Sequence, residues 1–316
     1  MNKIEFGDCR EIMKRWKDEN VKVQTCITSP PYFGLRDYGH EGQIGLEQTV
    51  GEYVSNLVDV FADVWNILED NGTVWLNLGD SYYNYRPGKG QALNKQTVSN
   101  TNQDLPTTCA RRGNKQEGLK EKDLIGIPWR VAFALQDFGW YLRQDIIWHK
   151  PNPMPESVRD RCTKAHEYIF LLTKNPQYYF NNEAIKEPAV SGKDLGLLRS
   201  VSHTDGSKVT WHSPSIQKRK ESGIDSKNAG DGMRNKRDVW SVNVKPYKGA
   251  HFATFPKELI EPCVLAGSKE GDIVFDPFMG SGTTAQVAKD NGRQYLGCEL
   301  NLEYKKLQDE RLNKLI

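Results

Sequence analysis

The sequence has no closely spaced pairs of cysteine or histidine. Its six cysteines, at positions 9, 26, 109, 162, 263 and 298, lie far apart without a CxxC pair, and its six histidines form neither HxxxH nor HxH. Metal sites usually need such pairs, so we predict no metal site. Scattered cysteines are typical of reduced thiols in a cytoplasmic protein.

The chain also lacks a long hydrophobic run. No apolar stretch approaches the roughly 20 residues that a membrane span needs, and the polar start MNKIEFGDCR does not have the form of a secretion signal. We therefore expect no membrane association and a cytoplasmic location. At 316 residues the chain can hold one large α/β domain with an inserted module, or two small domains.

Two common phosphate-binding loops, GxGxxG and GxxxxGK[ST], are missing as well. In their place, the stretch IVFDPFMGSGTTAQVAKDNGRQYLGCE at 273–299 predicts a β-loop-α-β unit. Ile273–Phe275 has the composition of a buried strand, and the glycines at 280 and 282 let the backbone approach a ligand closely. Thr283 and Thr284 open a helix, and a second strand ends in the acid Glu299.

An acid about 20 residues beyond such a loop is typically the acceptor for the ribose hydroxyls of a nucleotide-type cofactor. Asp276, at the strand end, would repel a pyrophosphate but can hold a sulfonium cation. These features favour S-adenosylmethionine. A glycine-rich turn followed by a chance acid is the alternative interpretation of this stretch alone.

A second candidate site is Thr-Ser-Pro-Pro-Tyr at 28–32, directly after a predicted strand. Two prolines fix two φ angles and remove two amide donors, so the preceding carbonyls are rigid acceptors. With the Ser29 hydroxyl and the Tyr32 ring, the loop offers acceptors for an NH₂ group and a face for a planar base. We interpret it as a pocket for a flipped-out nucleobase, whereas a structural polyproline turn is the alternative.

The remaining apolar patterns predict alternating strands and helices. Strands are expected at 3–6, 21–27, 74–78, 139–148 and 166–172, and helices around Ile12–Trp16 and over 53–68, 127–138 and 251–267, with Asn71-Gly72 ending the second helix.

Charge is unevenly distributed along the chain. Lysine and arginine outnumber acids by eight to three over 86–122 and by thirteen to seven over 186–248, although the whole chain carries only +2 and the remainder is therefore acidic. Two basic segments on an acidic body suggest a polyanionic partner. Solvated loops of mixed charge are the competing interpretation.

The combination of Asp-Pro-Phe-x-Gly-Ser-Gly-Thr-Thr at 276–284 with Thr-Ser-Pro-Pro-Tyr at 28–32 resembles the amino-methylating DNA methyltransferases of the β order, in which the catalytic motif precedes the cofactor loop. The resemblance extends to Gly7-Asp8-Cys9, to residues 72–80 and 147–152, and to Phe255-Pro256. It covers about two thirds of the chain and omits the two basic segments.

The resemblance implies a Rossmann-like α/β fold with a mostly parallel central sheet and the cofactor half at the C-terminus. We expect a catalytic half at 1–185 with a basic loop insertion at 82–122, a target-recognition region at 186–248, and a cofactor-binding half at 249–316. The predicted catalytic residues are Ser29, Pro30, Pro31 and Tyr32. The predicted cofactor-binding residues are Asp8, Cys9, Thr28, Asp276, Phe278, Gly280, Ser281, Gly282, Thr283, Thr284 and Glu299. The predicted DNA-binding residues are Arg36, Arg111, Arg112, Lys218, Arg219 and Lys220.

The expected reaction is methylation of an exocyclic amino group in double-stranded DNA. Serine at the first position of the Ser-Pro-Pro-Tyr motif resembles the cytosine-N4 group of the family, and adenine N6 is the alternative target. RNA is a less favoured substrate. A cognate restriction endonuclease is a candidate partner, and the sequence leaves the oligomeric state open.

Deleting residues 88–120 should weaken DNA binding and flatten its dependence on salt, because basic side chains that neutralise phosphates release counterions and the deletion removes such side chains. Binding of a duplex measured over a series of salt concentrations checks this, with circular dichroism as the test that the fold is kept. An unchanged salt slope would contradict a DNA-binding role for the segment.

Overall fold

The computed structural model describes residues 1–34, 40, 42–83, 118–188, 233–245 and 255–313. Residues Met1–Asn181 together with Asp238–Ile316 form one compact unit, and Asn182–Arg237 form a second. The predicted division of the chain at 185 and 248, and the target-recognition role of the region between, stay predictions.

The first unit contains eight strands and six helices among its described residues. The strands are β1 (Asn2–Phe6), β2 (Val23–Thr28), β3 (Leu68–Leu78), β4 (Tyr141–His149), β5 (His166–Thr173), β8 (Val239–Ser241), β9 (Ile273–Asp276) and β10 (Gln294–Glu299). The helices are α1 (Cys9–Asp18), α2 (Val50–Ile67), α3 (Ile127–Phe138), α4 (Lys257–Gly267), α5 (Thr283–Asp290) and α6 (Tyr304–Leu312).

These strands form one sheet in the order β1-β10-β9-β2-β3-β5-β4-β8. All neighbours are parallel except β5, which runs antiparallel to both β3 and β4. The prediction of a mostly parallel α/β sheet is therefore confirmed. The central strands are mostly buried, with the start of β3 as the exposed exception, because helices cover both faces of a parallel sheet.

The strand order brings distant parts of the chain together. β9, from the C-terminal quarter, pairs with β2, from the first thirty residues, in the registers Thr25↔Val274 and Cys26↔Phe275. Parallel strands end at the same edge of a sheet, so the loops after β1, β2, β3, β9 and β10 meet there. In open α/β sheets this edge is where ligands bind.

Two predicted boundaries were wrong. The helix was expected to end at Asn71-Gly72, but α2 ends at Ile67 and both residues lie inside β3. The Lys174 ammonium donates a hydrogen bond to the Leu68 carbonyl at 2.5 Å, which supports extended backbone here. Gly72 also packs too closely on β2 for a side chain, since a Cβ would lie 2.8 Å from the Gln24 carbonyl.

The fourth helix was expected over 251–267, but the described helix begins at Lys257. Pro256 is the N-cap, with extended backbone (φ −70°, ψ 151°), because proline favours the start of a helix rather than a position within an earlier turn. Residues 251–254 lie outside the described residues.

The second unit is described only at its two ends. A 3₁₀ turn at Glu183–Ile185 precedes β6 (Glu187–Pro188), which pairs antiparallel with β7 (Met233–Arg234). Glu187 binds Arg234 at 3.0 Å and Arg237 at 2.8 Å. Across both units, none of the helices in the described ranges is long and apolar enough to cross a membrane.

Helix α4 packs on the sheet through Gly267, and we predict that Gly267→Ala destabilises the fold. An added Cβ would lie 2.8 Å from the hydroxyl oxygens of both Thr25 and Thr73, which are buried and bond each other. Overpacking of this kind costs about 1–3 kcal/mol. Urea unfolding measures the loss. Gly51→Ala, at an exposed position of α2 where an added Cβ would make only an ordinary 3.9 Å contact with the Thr49 hydroxyl, is the matched control and should not destabilise.

Candidate active site

A cavity of about 660 Å³ opens at the carboxyl ends of the parallel strands. Its walls include Ser29 after β2 and Gly280 after β9, so the two predicted loops open onto the same space. Small-molecule sites typically measure about 300–1,000 Å³. The volume is therefore suitable for a nucleoside-sized ligand beside a second planar group.

Most of the predicted cofactor residues line this cavity. Asp8, Cys9, Asp276, Phe278, Gly280, Ser281, Thr283 and Glu299 are in its wall, whereas Thr28, Gly282 and Thr284 are not. Thr28 and Thr284 instead donate hydrogen bonds to the Asp276 carboxylate, at 2.6 and 2.7 Å. Their place is behind the wall, where they fix its acidic residue.

Asp276 is almost completely buried at the end of β9. Besides the two threonine hydroxyls, it accepts a hydrogen bond from the Phe278 amide at 3.0 Å. Burial raises the pKa of its carboxyl to about 6, and the hydrogen bonds oppose that rise. The carboxylate therefore joins β2, β9 and α5 and places a negative charge directly beneath the cavity.

Glu299 fixes the glycine loop from the neighbouring strand. Its carboxylate accepts hydrogen bonds from the Gly280 amide at 2.6 Å and from the Asn301 amide at 2.8 Å. Burial raises its pKa to about 7, and the charge of Asp276 adds to the rise. The loop can turn here because Gly280 and Gly282 have φ angles of +53° and +82°.

The C-terminal helix α6 also holds the loop, which the sequence did not indicate. Gln308 donates a hydrogen bond to the Gly280 carbonyl at 2.7 Å, and Arg311 bonds the Thr283 hydroxyl. Both side chains are buried. In the sequence, these two residues stand out only by their spacing of three positions within a polar and charged segment. This spacing does not show what they contact.

Asp8 has the role of a helix cap as well as a place in the cavity wall. It accepts a hydrogen bond from the Arg10 amide at 2.8 Å and pairs with the Arg10 guanidinium at 2.5 Å. The hydrogen bond from the Arg10 side chain is the main cause that lowers the pKa of this carboxyl. Neighbouring Cys9 is buried, which raises the pKa of its thiol to about 12 and keeps it neutral.

The Ser-Pro-Pro-Tyr loop forms the opposite wall and is held from two sides. The Tyr53 hydroxyl, from α2, donates to the Pro31 carbonyl at 2.9 Å. Gly79 lets the Tyr32 ring lie against β3, since a Cβ at this position would be 2.7 Å from the ring. The four predicted catalytic residues thus lie in the cavity wall, and their roles stay predictions.

A polar network connects this loop to β3 and β5. The Tyr32 hydroxyl donates to Glu167 Oε2 at 2.7 Å, and Asn77 Nδ2 lies 2.9 Å from the Tyr32 hydroxyl, 3.0 Å from Glu167 Oε2 and 3.3 Å from Ser29 Oγ. Lys150 forms an ion pair with Glu167. Burial, and secondarily the charge of Glu167, raise the pKa of Tyr32 well above its usual value.

Glu167 was missed in the sequence. Its signal was weak: one acid near the start of the otherwise apolar run His166–Thr173. The acid reaches the site because β5 is antiparallel, so the N-terminal end of this strand lies beside the carboxyl end of β3, with Tyr168 paired with Leu78.

The third wall consists of two segments, residues 148–154 and 242–245, that form hydrogen bonds with each other. Trp148 Nε1 donates to the Val242 carbonyl at 2.8 Å, and the Asn152 side chain bonds both backbone groups of Val244, at 3.0 and 2.8 Å. The Lys150 ammonium lies 4.3 Å from the centre of the Trp148 ring. The Trp148 ring and the Glu167 carboxylate together hold the Lys150 ammonium in the cavity wall.

All six predicted DNA-binding residues, Arg36, Arg111, Arg112, Lys218, Arg219 and Lys220, lie outside the described residues. Within the described ranges, no group of three or more histidine, cysteine, aspartate or glutamate side chains could hold a metal ion.

The sequence model of the DNA methylase family matches residues 23–310. Among curated relatives, the type II methyltransferase M.SmaI of Serratia marcescens is 45% identical over 98% of this chain and 90% of its own length. The type II methyltransferase M.Cfr9I of Citrobacter freundii is 44% identical over 97% of this chain and 86% of its own length.

Two solved structures share the fold. The PvuII DNA methyltransferase, described as cytosine-N4-specific, superposes with a TM-score of 0.62 at 17% identity and covers 100% of this chain and 88% of its own. TTHA0409 of Thermus thermophilus, a putative DNA modification methylase solved with S-adenosyl-L-methionine, gives 0.58 at 21% identity, covering 99% and 93%.

We predict that Glu299 makes the stability of the ligand-free protein depend on pH. Because folding raises its pKa from 4.5 to about 7, the folded state binds more protons within this window, and stability falls as pH rises through it. The loss is at most roughly 3 kcal/mol. Urea unfolding at about pH 5 and about pH 8 measures it.

Glu299→Gln should show a smaller loss between the two pH values than the unmodified protein. Glu310→Gln, at an exposed position of α6, is the matched control and should keep the original loss. Equal losses in the Glu299→Gln variant and the unmodified protein would contradict the assignment.

Proposed function

The chain belongs to the family of DNA methylases that modify an exocyclic amino group, and we propose that it methylates the N4 atom of cytosine in double-stranded DNA with S-adenosylmethionine as the methyl donor. One observation carries the proposal: a single cavity is lined on one side by the glycine loop with Glu299 and on the other by Ser29 and Pro30.

The residues around the glycine loop fit S-adenosylmethionine. Glu299 is an acceptor for ribose hydroxyls, and the charge of Asp276 beneath the cavity favours a cation. The Ser281 hydroxyl is buried without a partner among the described residues, and a bound ligand would supply one. When bound, S-adenosylmethionine supplies an electrophilic methyl group carried on a sulfonium.

Ser29 and Pro30 act on the amino group that receives the methyl. The lone pair of an aromatic NH₂ is delocalised into the ring, so the nitrogen is a weak nucleophile. When the Ser29 hydroxyl oxygen and the Pro30 carbonyl accept its two N–H groups, the nitrogen moves toward tetrahedral geometry and its lone pair becomes available for attack. Ser29 is thus a positioning acceptor, and no covalent enzyme intermediate is required.

Methylation of a ring carbon has less support because it needs a reactive thiolate. Cys26 lies nearest to the loop in sequence, but it is fully buried in β2, and burial raises its pKa well above the usual value for a thiol. An exocyclic amino group is therefore the favoured acceptor.

Serine at position 29 supports cytosine over adenine, as the family resemblance implies. The relatives M.SmaI and M.Cfr9I are type II methyltransferases, which supports a cytoplasmic role beside a restriction endonuclease that recognises the same DNA sequence.

The test incubates purified protein with S-adenosylmethionine and unmethylated bacterial DNA, digests the DNA to nucleosides and separates them by mass spectrometry. N4-methylcytosine is the expected product. N6-methyladenine would assign the alternative base, 5-methylcytosine would overturn the amino mechanism, and transfer to RNA in competition with DNA would overturn the substrate class.

Ser29→Ala should reduce the methylation rate roughly 100-fold, because one of the two acceptors that position the amino group is lost. Affinity for S-adenosylmethionine, measured by calorimetry, should stay unchanged since the cofactor residues lie on the opposite wall. Ser55→Ala, exposed on α2, is the matched control. A Ser29→Ala protein with full rate would remove Ser29 from the mechanism.

A further inference from the structure

We propose that Glu167 accepts the proton that the substrate amino group loses, and that the hydroxyls of Ser29 and Tyr32 conduct it there. This inference rests on the proposed function, because it needs an amino group beside Ser29. It assigns a role to a residue that neither the Ser-Pro-Pro-Tyr motif nor the cofactor loop contains.

Methyl transfer creates the need for an acceptor. An amino nitrogen that gains a methyl group becomes cationic and must release one proton to give the neutral product. The Ser29 hydroxyl is neutral and cannot keep that proton. A carboxylate within reach through hydrogen bonds is the appropriate acceptor.

Four carboxylates line the cavity among the described residues, and three of them belong to the cofactor side. Asp8 is paired with Arg10, Asp276 accepts three internal hydrogen bonds, and Glu299 holds the glycine loop. Glu167 is the one that contacts the Ser-Pro-Pro-Tyr loop.

The connecting atoms are already arranged for transfer. Ser29 Oγ donates toward the Tyr32 hydroxyl oxygen at 3.4 Å, and the Tyr32 hydroxyl donates to Glu167 Oε2 at 2.7 Å. Because burial raises the pKa of Tyr32, its hydroxyl is protonated at neutral pH, and its hydrogen bonds let it receive a proton from Ser29 as it gives its own to Glu167. The first distance is long, as is common for catalytic hydrogen bonds before substrate binds.

The groups around Glu167 hold its carboxylate in place. Lys150 pairs with Oε1, and Asn77 donates to Oε2 at 3.0 Å, so both carboxylate oxygens are held. The Glu167 side chain is 14% exposed and that of Lys150 is 19% exposed. This limited contact with solvent lets the proton leave to water after each turnover.

The step is balanced in atoms and charge. As the carbon–nitrogen bond forms and the carbon–sulfur bond of the methyl donor breaks, the nitrogen passes a proton to Ser29 Oγ. Ser29 passes its own proton to the Tyr32 oxygen, and Tyr32 passes its proton to Glu167 Oε2. The serine and tyrosine end unchanged, and the carboxylate ends as a carboxylic acid.

Two substitutions of Glu167 separate proton acceptance from a purely structural role. Glu167→Gln keeps the length of the side chain and can still accept hydrogen bonds from Tyr32 and Asn77, but it cannot take a proton. Glu167→Asp keeps the carboxylate but shortens the side chain. A residue that only held its neighbours would tolerate glutamine better, whereas a proton acceptor would tolerate aspartate better.

The measurement is the single-turnover rate of methyl transfer to DNA, at saturating S-adenosylmethionine and enzyme. Glu167→Gln should be slower than the unmodified enzyme by roughly 100-fold, the size of a lost general base, and Glu167→Asp should retain a higher rate than Glu167→Gln. A glutamine variant at least as fast as the aspartate variant would overturn the proposal.

Tyr32→Phe tests the connection. Because Tyr32→Phe interrupts the same chain of hydrogen bonds, the double variant Tyr32→Phe/Glu167→Gln should be no slower than Glu167→Gln alone. A double variant slowed by the product of the two single losses would overturn the relay. Tyr168→Phe, which removes a hydroxyl from the next residue of β5, is the matched control.

If the Glu167→Gln variant recovered its rate when Lys150→Met was added, the unpaired lysine would be the cause of the lost rate and the proposal would fall.

Failure of this proposal is distinguishable from failure of the proposed function. If the unmodified enzyme transfers no methyl group to DNA, the proposed function fails, whatever Glu167 does. If the unmodified enzyme is active and the glutamine variant matches it, only the role of Glu167 is lost. Calorimetric binding of S-adenosylmethionine confirms that each variant is folded.

Discussion

The site depends on the pairing of β9 with β2 and on the buried hydrogen bond that completes it, from the Thr28 hydroxyl to Asp276 at 2.6 Å. These residues are 248 positions apart in sequence. The contact places the loop after β2, which begins with Ser29, beside the loop after β9, which contains Gly280. Without this pairing the chain would carry two separate halves of a site rather than one cavity.

This arrangement has an energetic consequence. Two carboxylates, Asp276 and Glu299, are buried close enough for the charge of one to raise the pKa of the other. Buried charges destabilise a protein unless hydrogen bonds compensate them. The threonine hydroxyls and backbone amides compensate only in part, since both pKa values stay raised. The negative charge in the cavity wall therefore favours a cationic ligand, but it lowers the stability of the protein when no ligand is bound.

Much of the fold and of the glycine-loop wall of the cavity could be predicted from local sequence. The strand ending at Asp276, the glycine loop and the acid Glu299 are all within one continuous stretch, so their spacing alone specified a β-loop-α-β unit. The roles of Thr28 and Thr284 were less accessible. Both hydroxyls bond Asp276 rather than line the cavity, and no pattern in sequence distinguishes these two positions.

Residues contributed by other strands could not be placed in advance. Glu167 reaches the Ser-Pro-Pro-Tyr loop because β5 inserts antiparallel between β3 and β4, and strand order is decided by packing across the whole sheet. Gln308 likewise contacts Gly280 only because α6 folds back on the loop. At the start of β3, the Leu68 carbonyl accepts a hydrogen bond from a lysine more than a hundred residues later. Such long-range contacts override local propensity.

The most direct test of the central claim is a crystal structure of the protein with S-adenosylmethionine bound, from which the distance between the transferable methyl carbon and Ser29 Oγ is measured. One amino nitrogen must contact both atoms, so the account predicts a separation of at most about 6 Å, two contacts of roughly 3 Å each. A methyl group that faces away from Ser29, or a ribose bound elsewhere than at Glu299, would contradict it.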